Sequence, residues 1–315
     1  MRCMRSRTSR GSRVRQAVMI DIQELERRAR NDGHLAMALA ERRLLGIDCK
    51  PDQRAALEAV KLAARLGHPD GRRAWVYLTN AGIGTRADPA TAVAMLRELA
   101  KEDRFAALQL AFLDHLTCEK RLAEVEPKII SADPYIALYP GLFSAAECKY
   151  LAVLGTPWLE KASVLSLSGE ARIDDVRDAD ASSIPHLTED MIVQAVNRCI
   201  AAATGTKPEW GEPLNLLRYR PGQQYKPHHD GTGADNVSVR TLTALIWLND
   251  QFEGGETDFP KIKVRVRGGV GDMLVFKNVK DNGEFDERMI HAGLPVTQGA
   301  KWMASRWIRA EPYLK

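Results

Sequence analysis

The hydrophobic period of this chain changes near residue 123, and that change governs what the chain can fold into. Through residues 21–122, Ala and Leu recur at helical spacing, as in "RAALEAVKLAARLG" (54–67) and "ATAVAMLRELA" (90–100), with charges on the remaining face. Farther along the period is two. "LNLLRYR" (214–220), "TLTALIWLND" (241–250), "KIKVRVR" (261–267), "GDMLVFKN" (271–278) and "KWMASRWIRA" (301–310) read as short strands between Gly, Pro, Asn and Asp turns. A chain of 315 residues is long enough for two domains. The expectation is an α+β protein with an extension at 1–20, a helical region at 21–122 and a sheet domain at 123–315.

The helical region repeats internally. "GIDCKPD" (46–52) and "GIGTRAD" (82–88) share G-I-x-x-x-x-D at a spacing of 36 residues, and an Ala-rich helix follows each. A period in the mid-thirties marks a helix–turn–helix solenoid, and the segment resembles Sel1-like repeats, relatives of tetratricopeptide repeats. In the second region, many short strands with glycine corners suggest a jelly-roll or cupin-type double sheet, a double-stranded β-helix. Two supporting helices are expected at 142–155 and 188–205, with Ser144 and Thr188 as N-caps.

Charge and cysteine usage narrow the function classes. Net charge is +4, but Arg2, Arg5, Arg7, Arg10, Arg13 and Arg15 crowd the first residues; setting these six aside from 45 basic residues leaves 39 against 41 acidic, about −2. The pI near 8.8 is therefore no sign of a nucleic-acid surface. The Arg/Ser-rich start lacks the apolar stretch of a secretory signal and reads as a disordered extension, with Met19 opening a more ordinary sequence. No apolar run reaches the roughly 18 residues of a membrane span. Five scattered cysteines (Cys3, Cys49, Cys118, Cys148, Cys199) without a CxxC fit reduced thiols and a cytoplasmic location.

The stretch "YKPHHDG" (225–231) carries the chemistry. On a strand, residues two apart share a face, so His228 and Asp230 look one way and His229 the other. A third ligand is expected from a later strand, and His291 in "MIHAGLPV" is the histidine downstream. Two histidines and one carboxylate leave half an octahedron open, which favours Fe(II) with exchangeable positions over a closed structural zinc site. Ten residues beyond His291, Lys301 needs an anionic partner if it faces inward. The C5 carboxylate of 2-oxoglutarate would supply one.

The ordered set Y-x5-Y-x2-H-x-D, then GGET, then H-x9-K-W, carried by "LLRYRPGQQYKPHHD", "RTLTALIWLNDQFEGGETDFP" and "HAGLPVTQGAKW", resembles the prolyl 4-hydroxylase branch of the Fe(II)/2-oxoglutarate dioxygenases. The resemblance covers most of 134–315. It implies that His228, Asp230 and His291 hold iron, that Lys301 pairs with the cosubstrate's C5 carboxylate, and that Tyr219 hydrogen-bonds the cosubstrate. It puts Thr243 and Trp247 on strand positions lining the same pocket, and Tyr225 and Trp307 near a substrate proline. The cofactor set it implies is Fe(II), 2-oxoglutarate and O2, with L-ascorbate (vitamin C) restoring oxidised iron. The implied partner is a proline-containing protein or peptide, recruited by the repeats, with neither nucleic acid nor membrane. The branch's usual R-T-S segment is reduced to "DVRDADASS" (175–183), which keeps Arg177 alone and leaves substrate identity open. Two alternatives stand beside this reading: a hydroxylase of another residue or small molecule, and a repeat-based adaptor with a vestigial oxygenase domain.

Overall fold

The computed structural model describes residues 20–314 apart from 163, 166–170, 173–175 and 232–237; the basic extension expected at the start lies outside the described residues. The chain divides into two units. One comprises residues up to 114 with 186–194 and 314–315. The other comprises 115–185 and 195–313.

Among the described residues six helices build the first unit: α1 (Ile22–Ala29), α2 (Gly33–Leu45), α3 (Gln53–Arg65), α4 (Pro69–Ala81), α5 (Pro89–Leu99) and α6 (Arg104–Leu113). The repeated G-I-x-x-x-x-D motif is a helix stop joined to a helix start. Gly46 and Gly82 end α2 and α4 with φ of 70° and 76°, a region that costs a side-chain-bearing residue about 1–2 kcal/mol. Ile47 N–H and Ile83 N–H then return to the carbonyls of Arg42 and Leu78, both at 3.0 Å. At the end of each motif, Asp52 and Asp88 cap α3 and α5 by accepting from Ala55 N–H (2.9 Å) and Thr91 N–H (3.0 Å). The same pair of aspartates donates backbone N–H groups to Arg43 O (2.7 Å) and Thr79 O (3.0 Å). Identical bonds at identical repeat positions make the repeat physical as well as sequential.

Buried Leu39, Leu57, Val60 and Leu78 interleave with Ala36, Ala56 and Ala63, whose small side chains let helices approach. A second cluster holds Val76, Tyr77, Leu96 and Leu99. Leu187 joins the first cluster and Met191 the second, which explains why 186–194 goes with this unit.

The other unit begins with α7 (Cys118–Leu122) and α8 (Ala145–Gly155); α9 (Met191–Thr204) enters it after Gln194. Ser144 heads α8 in a reciprocal capping box with Glu147. At α9 the cap is Asp190, whose Oδ1 accepts from Ile192 N–H (3.0 Å) and Val193 N–H (2.9 Å). The expected cap Thr188 lies too far upstream, because the helix starts only at Met191.

The strands used below are β1 (Lys128–Ser131), β2 (Ile136–Tyr139), β3 (Glu160–Lys161), β4 (Asp180–Ser183), β5 (Asn215–Tyr219), β6 (Tyr225–His228), β7 (Arg240–Trp247), β8 (Thr257–Phe259), β9 (Val264–Val266), β10 (Met273–Lys277), β11 (His291–Gly293) and β12 (Lys301–Arg309). The major sheet runs β1-β2-β10-β7-β12-β5-β4-β3 and the minor sheet β9-β8-β11-β6. The core draws Leu217, Trp247, Phe276 and Met303 from the major sheet and Phe259 and Val266 from the minor one. Alternate residues of β5, β7, β10 and β12 therefore face inward, as the period of two requires. This is a jelly-roll double sheet. "KIKVRVR" is strand only at Val264–Val266, because Lys263 turns the chain with φ 56°.

Candidate metal centre

His228 ends β6, and its register partner across the minor sheet is His291, the first residue of β11. Pro227 is tolerated there because β6 is the outer strand of its sheet. The strand stops at His228, so Asp230 reaches the cluster from the following turn rather than from continued alternation. His228 Nε2 and His291 Nε2 each lie 3.5 Å from one Asp230 oxygen, Oδ1 and Oδ2 respectively. Among the described residues these three form the group whose ligand atoms lie within 4.8 Å of one another.

Both imidazoles are oriented by the same local device. His228 Nδ1 bonds the carbonyl of Lys226 at 2.8 Å, and His291 Nδ1 bonds that of Met289 at 3.0 Å. A carbonyl only accepts, so Nδ1 carries a proton and Nε2 is the nitrogen turned toward Asp230. Burial and the neighbouring His228 push His291 down to about 4, which keeps it neutral and able to ligate near neutral pH. Asp230 is buried, which by itself would raise its pKa; the opposing pull of His291, His228 and Arg240 prevails and holds the carboxyl below the ordinary carboxylate range. Two imidazole nitrogens and one carboxylate converging on one point fit a divalent transition metal with open positions.

His229 faces elsewhere. Its Nε2 bonds Asp286 O at 3.0 Å and its Nδ1 accepts from Gly231 N–H at 3.0 Å, so its ring ties down the following turn.

Lys301 opens β12 opposite Tyr219 of β5, 3% exposed, and its ammonium donates to Gly255 O at 2.5 Å. Among the described residues it makes no ion pair with a carboxylate. Burial drives it down to about 7, with Glu256 opposing and Arg267 adding to the shift. Its Nζ also lies 5.6 Å from the centre of the Tyr219 ring. A buried cation met by one carbonyl suits a carboxylate ligand.

Lys301 and Tyr219 line one cavity with the three cluster residues, Tyr225 and Trp307. Tyr225 stacks on His228 with ring centroids 3.4 Å apart and planes at 13°. Trp307 is backed by the Arg240 guanidinium, 4.0 Å from its ring centre, and Glu212 holds that arginine. Arg177 also lines the cavity, with its guanidinium 5.0 Å from the Tyr225 ring centre. The sequence signal for Arg177 was its survival in a degenerate segment.

Two expected pocket residues sit differently. Trp247 is fully buried in the sheet core beside Gly268, so close that a Cβ there would fall 2.4 Å from its Cε3. Thr243 turns its hydroxyl onto Asp230 Oδ2 at 2.9 Å. The cavity wall on β7 is Leu245, one alternation from each. All three share a strand face, but the cavity opens only over the middle one. Ser305 on β12 is a further lining residue that sequence reasoning missed; its buried hydroxyl makes no hydrogen bond among the described residues.

A double-stranded β-helix presenting two imidazoles, a carboxylate and a buried lysine in one cavity defines the Fe(II)/2-oxoglutarate oxygenase class. The family model described as 2OG-Fe(II) oxygenase superfamily matches residues 214–309. Prolyl 4-hydroxylase 1 of Arabidopsis thaliana is 34% identical over 209 residues, covering 60% of this chain and 74% of that protein. Probable prolyl 4-hydroxylase 6 of the same plant is 33% identical over 210 residues, covering 59% and 73%. A solved viral collagen prolyl hydroxylase from Paramecium bursaria Chlorella virus-1, in its 2OG complex, superimposes with a TM-score of 0.45 at 25% identity, covering 56% of this chain and 96% of that one. The chain belongs to the 2OG-Fe(II) oxygenase superfamily, in its prolyl 4-hydroxylase branch. It is a 2-oxoglutarate-dependent enzyme whose cofactor set is Fe(II), 2-oxoglutarate and O2, with the ascorbate use typical of the branch.

Proposed function

We propose that this chain hydroxylates a prolyl residue in a protein or peptide. O2 and 2-oxoglutarate are consumed, succinate and CO2 are released, and one oxygen atom enters a substrate C–H bond. The carrying observation is the convergence of His228, Asp230 and His291 in one cavity with the buried, carboxylate-free Lys301. His228, Asp230 and His291 would hold iron, which when bound supplies the oxygen-activating chemistry. Lys301 would receive the distal carboxylate of 2-oxoglutarate, with Tyr219 beside it. Tyr225, Trp307 and Arg177 offer flat aromatic faces and a cation, a wall suited to a pyrrolidine ring and its flanking carbonyls. Arg177 is buried and the two aromatic rings are half-buried, so the wall limits water at the reacting carbon.

Incubation of the full chain with Fe(II), 2-oxoglutarate, ascorbate and proline-containing peptides tests this. Succinate should form in step with a gain of one oxygen atom on proline. Oxygen incorporation confined to a non-prolyl residue or a small molecule would overturn the prolyl assignment.

A second part of the proposal concerns recruitment. A groove in the helical unit is lined by Leu57, Lys61, Trp75, Thr79, Arg86 and Met95. Arg86 makes no hydrogen bond or ion pair among the described residues. Asp88 lines the groove beside Arg86, and Lys61 is paired with Glu58. Apolar Leu57, Trp75 and Met95 with the Arg86 guanidinium suit an extended peptide carrying an acidic residue, so we assign substrate recruitment to this groove. We also infer a reducing, cytoplasmic setting. Cys49, Cys118, Cys148 and Cys199 are free thiols, and no helix among the described residues is long and apolar enough to cross a membrane.

A further inference from the structure

A buried hydrogen-bond chain stands behind the metal cluster. Asn278, the residue after β10 and fully buried, donates from Nδ2 to Thr243 Oγ1 at 3.0 Å, and Thr243 Oγ1 lies 2.9 Å from Asp230 Oδ2. A hydroxyl has one proton. Because Thr243 accepts from the amide, its own proton is left for the carboxylate, and the chain runs one way, from amide to hydroxyl to carboxylate. Flipping the amide would set two acceptors competing for that single proton.

The other half of the Asn278 amide is informative. Its Oδ1 is buried and makes no hydrogen bond among the described residues. An unsatisfied buried acceptor is disfavoured in a fold selected only for stability. The backbone of Asn278 is satisfied without its side chain: its N–H donates to Thr241 O at 2.8 Å and its O accepts from Asp286 N–H at 3.1 Å. The side chain therefore serves through its NH2 group, and the partner of that group is Thr243.

We infer that Asn278 and Thr243 are positioning residues that act in series on Asp230, fixing its Oδ2 so that the carboxylate meets the metal in one orientation. This rests on the metal-centre reading above. Asn278 never touches the metal; its effect travels through the Thr243 hydroxyl.

The test is divalent-metal affinity of the full chain, measured with Co(II) absorption and with anaerobic Fe(II) titration. Asn278→Leu should weaken metal binding roughly tenfold to a hundredfold. Its metal-free melting temperature should hold or rise, because the near-isosteric side chain also removes the orphaned oxygen. Thr243→Val should weaken binding by at least as much, while Thr243→Ser should restore it. The double variant should bind no more weakly than Thr243→Val alone, since Asn278 has no route to Asp230 without the hydroxyl. Additive losses, or an Asn278→Leu protein that binds like the parent, would overturn the inference. If Asn278→Leu fails to fold, the Val/Ser contrast at Thr243 decides whether the hydroxyl positions Asp230, and Asn278→Ala replaces Leu in the cycle. Asp230→Ala separates the two levels: if the parent chain and Asp230→Ala bind metal alike, the metal-centre reading itself fails, whatever Asn278 does.

Discussion

The helix ends of the first unit and the site of the sheet unit are both built from polar contacts, but over different distances along the chain. At the repeated helix ends the contacts are local and exposed: Asp52 accepts from Ala55 N–H, Asp88 from Thr91 N–H, and Ile47 N–H returns to Arg42 O. In the sheet unit they span long loops: Asp230 meets His291, Thr243 meets Asn278, and Lys301 meets Gly255. The satisfaction of these groups differs too. The caps are complete within the fold, whereas Arg177 Nε, Ser305 Oγ and Trp307 Nε1 are buried around the cavity without a hydrogen bond among the described residues. Local polar groups end helices, whereas the three unpartnered atoms that line this cavity are free to meet a ligand.

The sharpest way to break this comparison is at the cluster. His228→Ala or Asp230→Ala should reduce succinate formation to background. His229→Ala should keep metal binding and most turnover while losing about 1–2 kcal/mol of stability from its two bonds to the turn. Succinate assays and thermal melts of the three variants read this out. A dead His229→Ala beside an active His228→Ala would mean the wrong histidine has been assigned.

Lys301 comes next. Removing it as Lys301→Ala should raise the 2-oxoglutarate requirement by about tenfold to over a hundredfold, corresponding to about 1.5–3 kcal/mol for a charge-assisted bond, with metal affinity little changed. Burial pushes the Lys301 ammonium down to about 7, so it is charged below that value. Because the anion binds the charged form, 2-oxoglutarate affinity should fall as pH rises through about 7. Lys301→Arg stays charged and should flatten this dependence, as a titration across pH 6 to 8.5 would show.

A smaller effect should come from the groove of the helical unit. Trp75→Ala with Arg86→Glu should raise KM several-fold on a full-length protein substrate and leave KM for a short proline peptide unchanged. Equal losses on both would make the repeats a structural brace. The smallest expected effect is at the caps: Asp52→Ala and Asp88→Ala should each cost about 1 kcal/mol of stability and leave 2-oxoglutarate turnover intact. Cutting the chain at 122/123 is a harsher version of that experiment, because Leu187 and Met191 would lose the helices they pack on.

What the sequence by itself determined follows from short-range chemistry. The change of period separated helices from strands because side-chain direction repeats every 3.6 or 2 residues whatever the partner. The G-I-x-x-x-x-D motif announced a helix stop and start because Gly46 and Asp52 act within one turn of their own position. His228, Asp230, His291 and Lys301 were legible because ligand types at set intervals narrow their arrangement before any packing is known, although Asp230 sits on the turn after β6 and not on the strand the spacing suggested. Only the tertiary structure decided the rest. Thr243, Leu245 and Trp247 share one strand face, yet one bonds the carboxylate, one lines the cavity and one fills the core. Their roles depend on which part of the opposing sheet each residue meets, and alternation along β7 carries no information about that. Asn278 was invisible for the same reason. Its importance lies in a bond to Thr243 and an oxygen left without one, and both exist only when β7 and β10 lie side by side in their observed register.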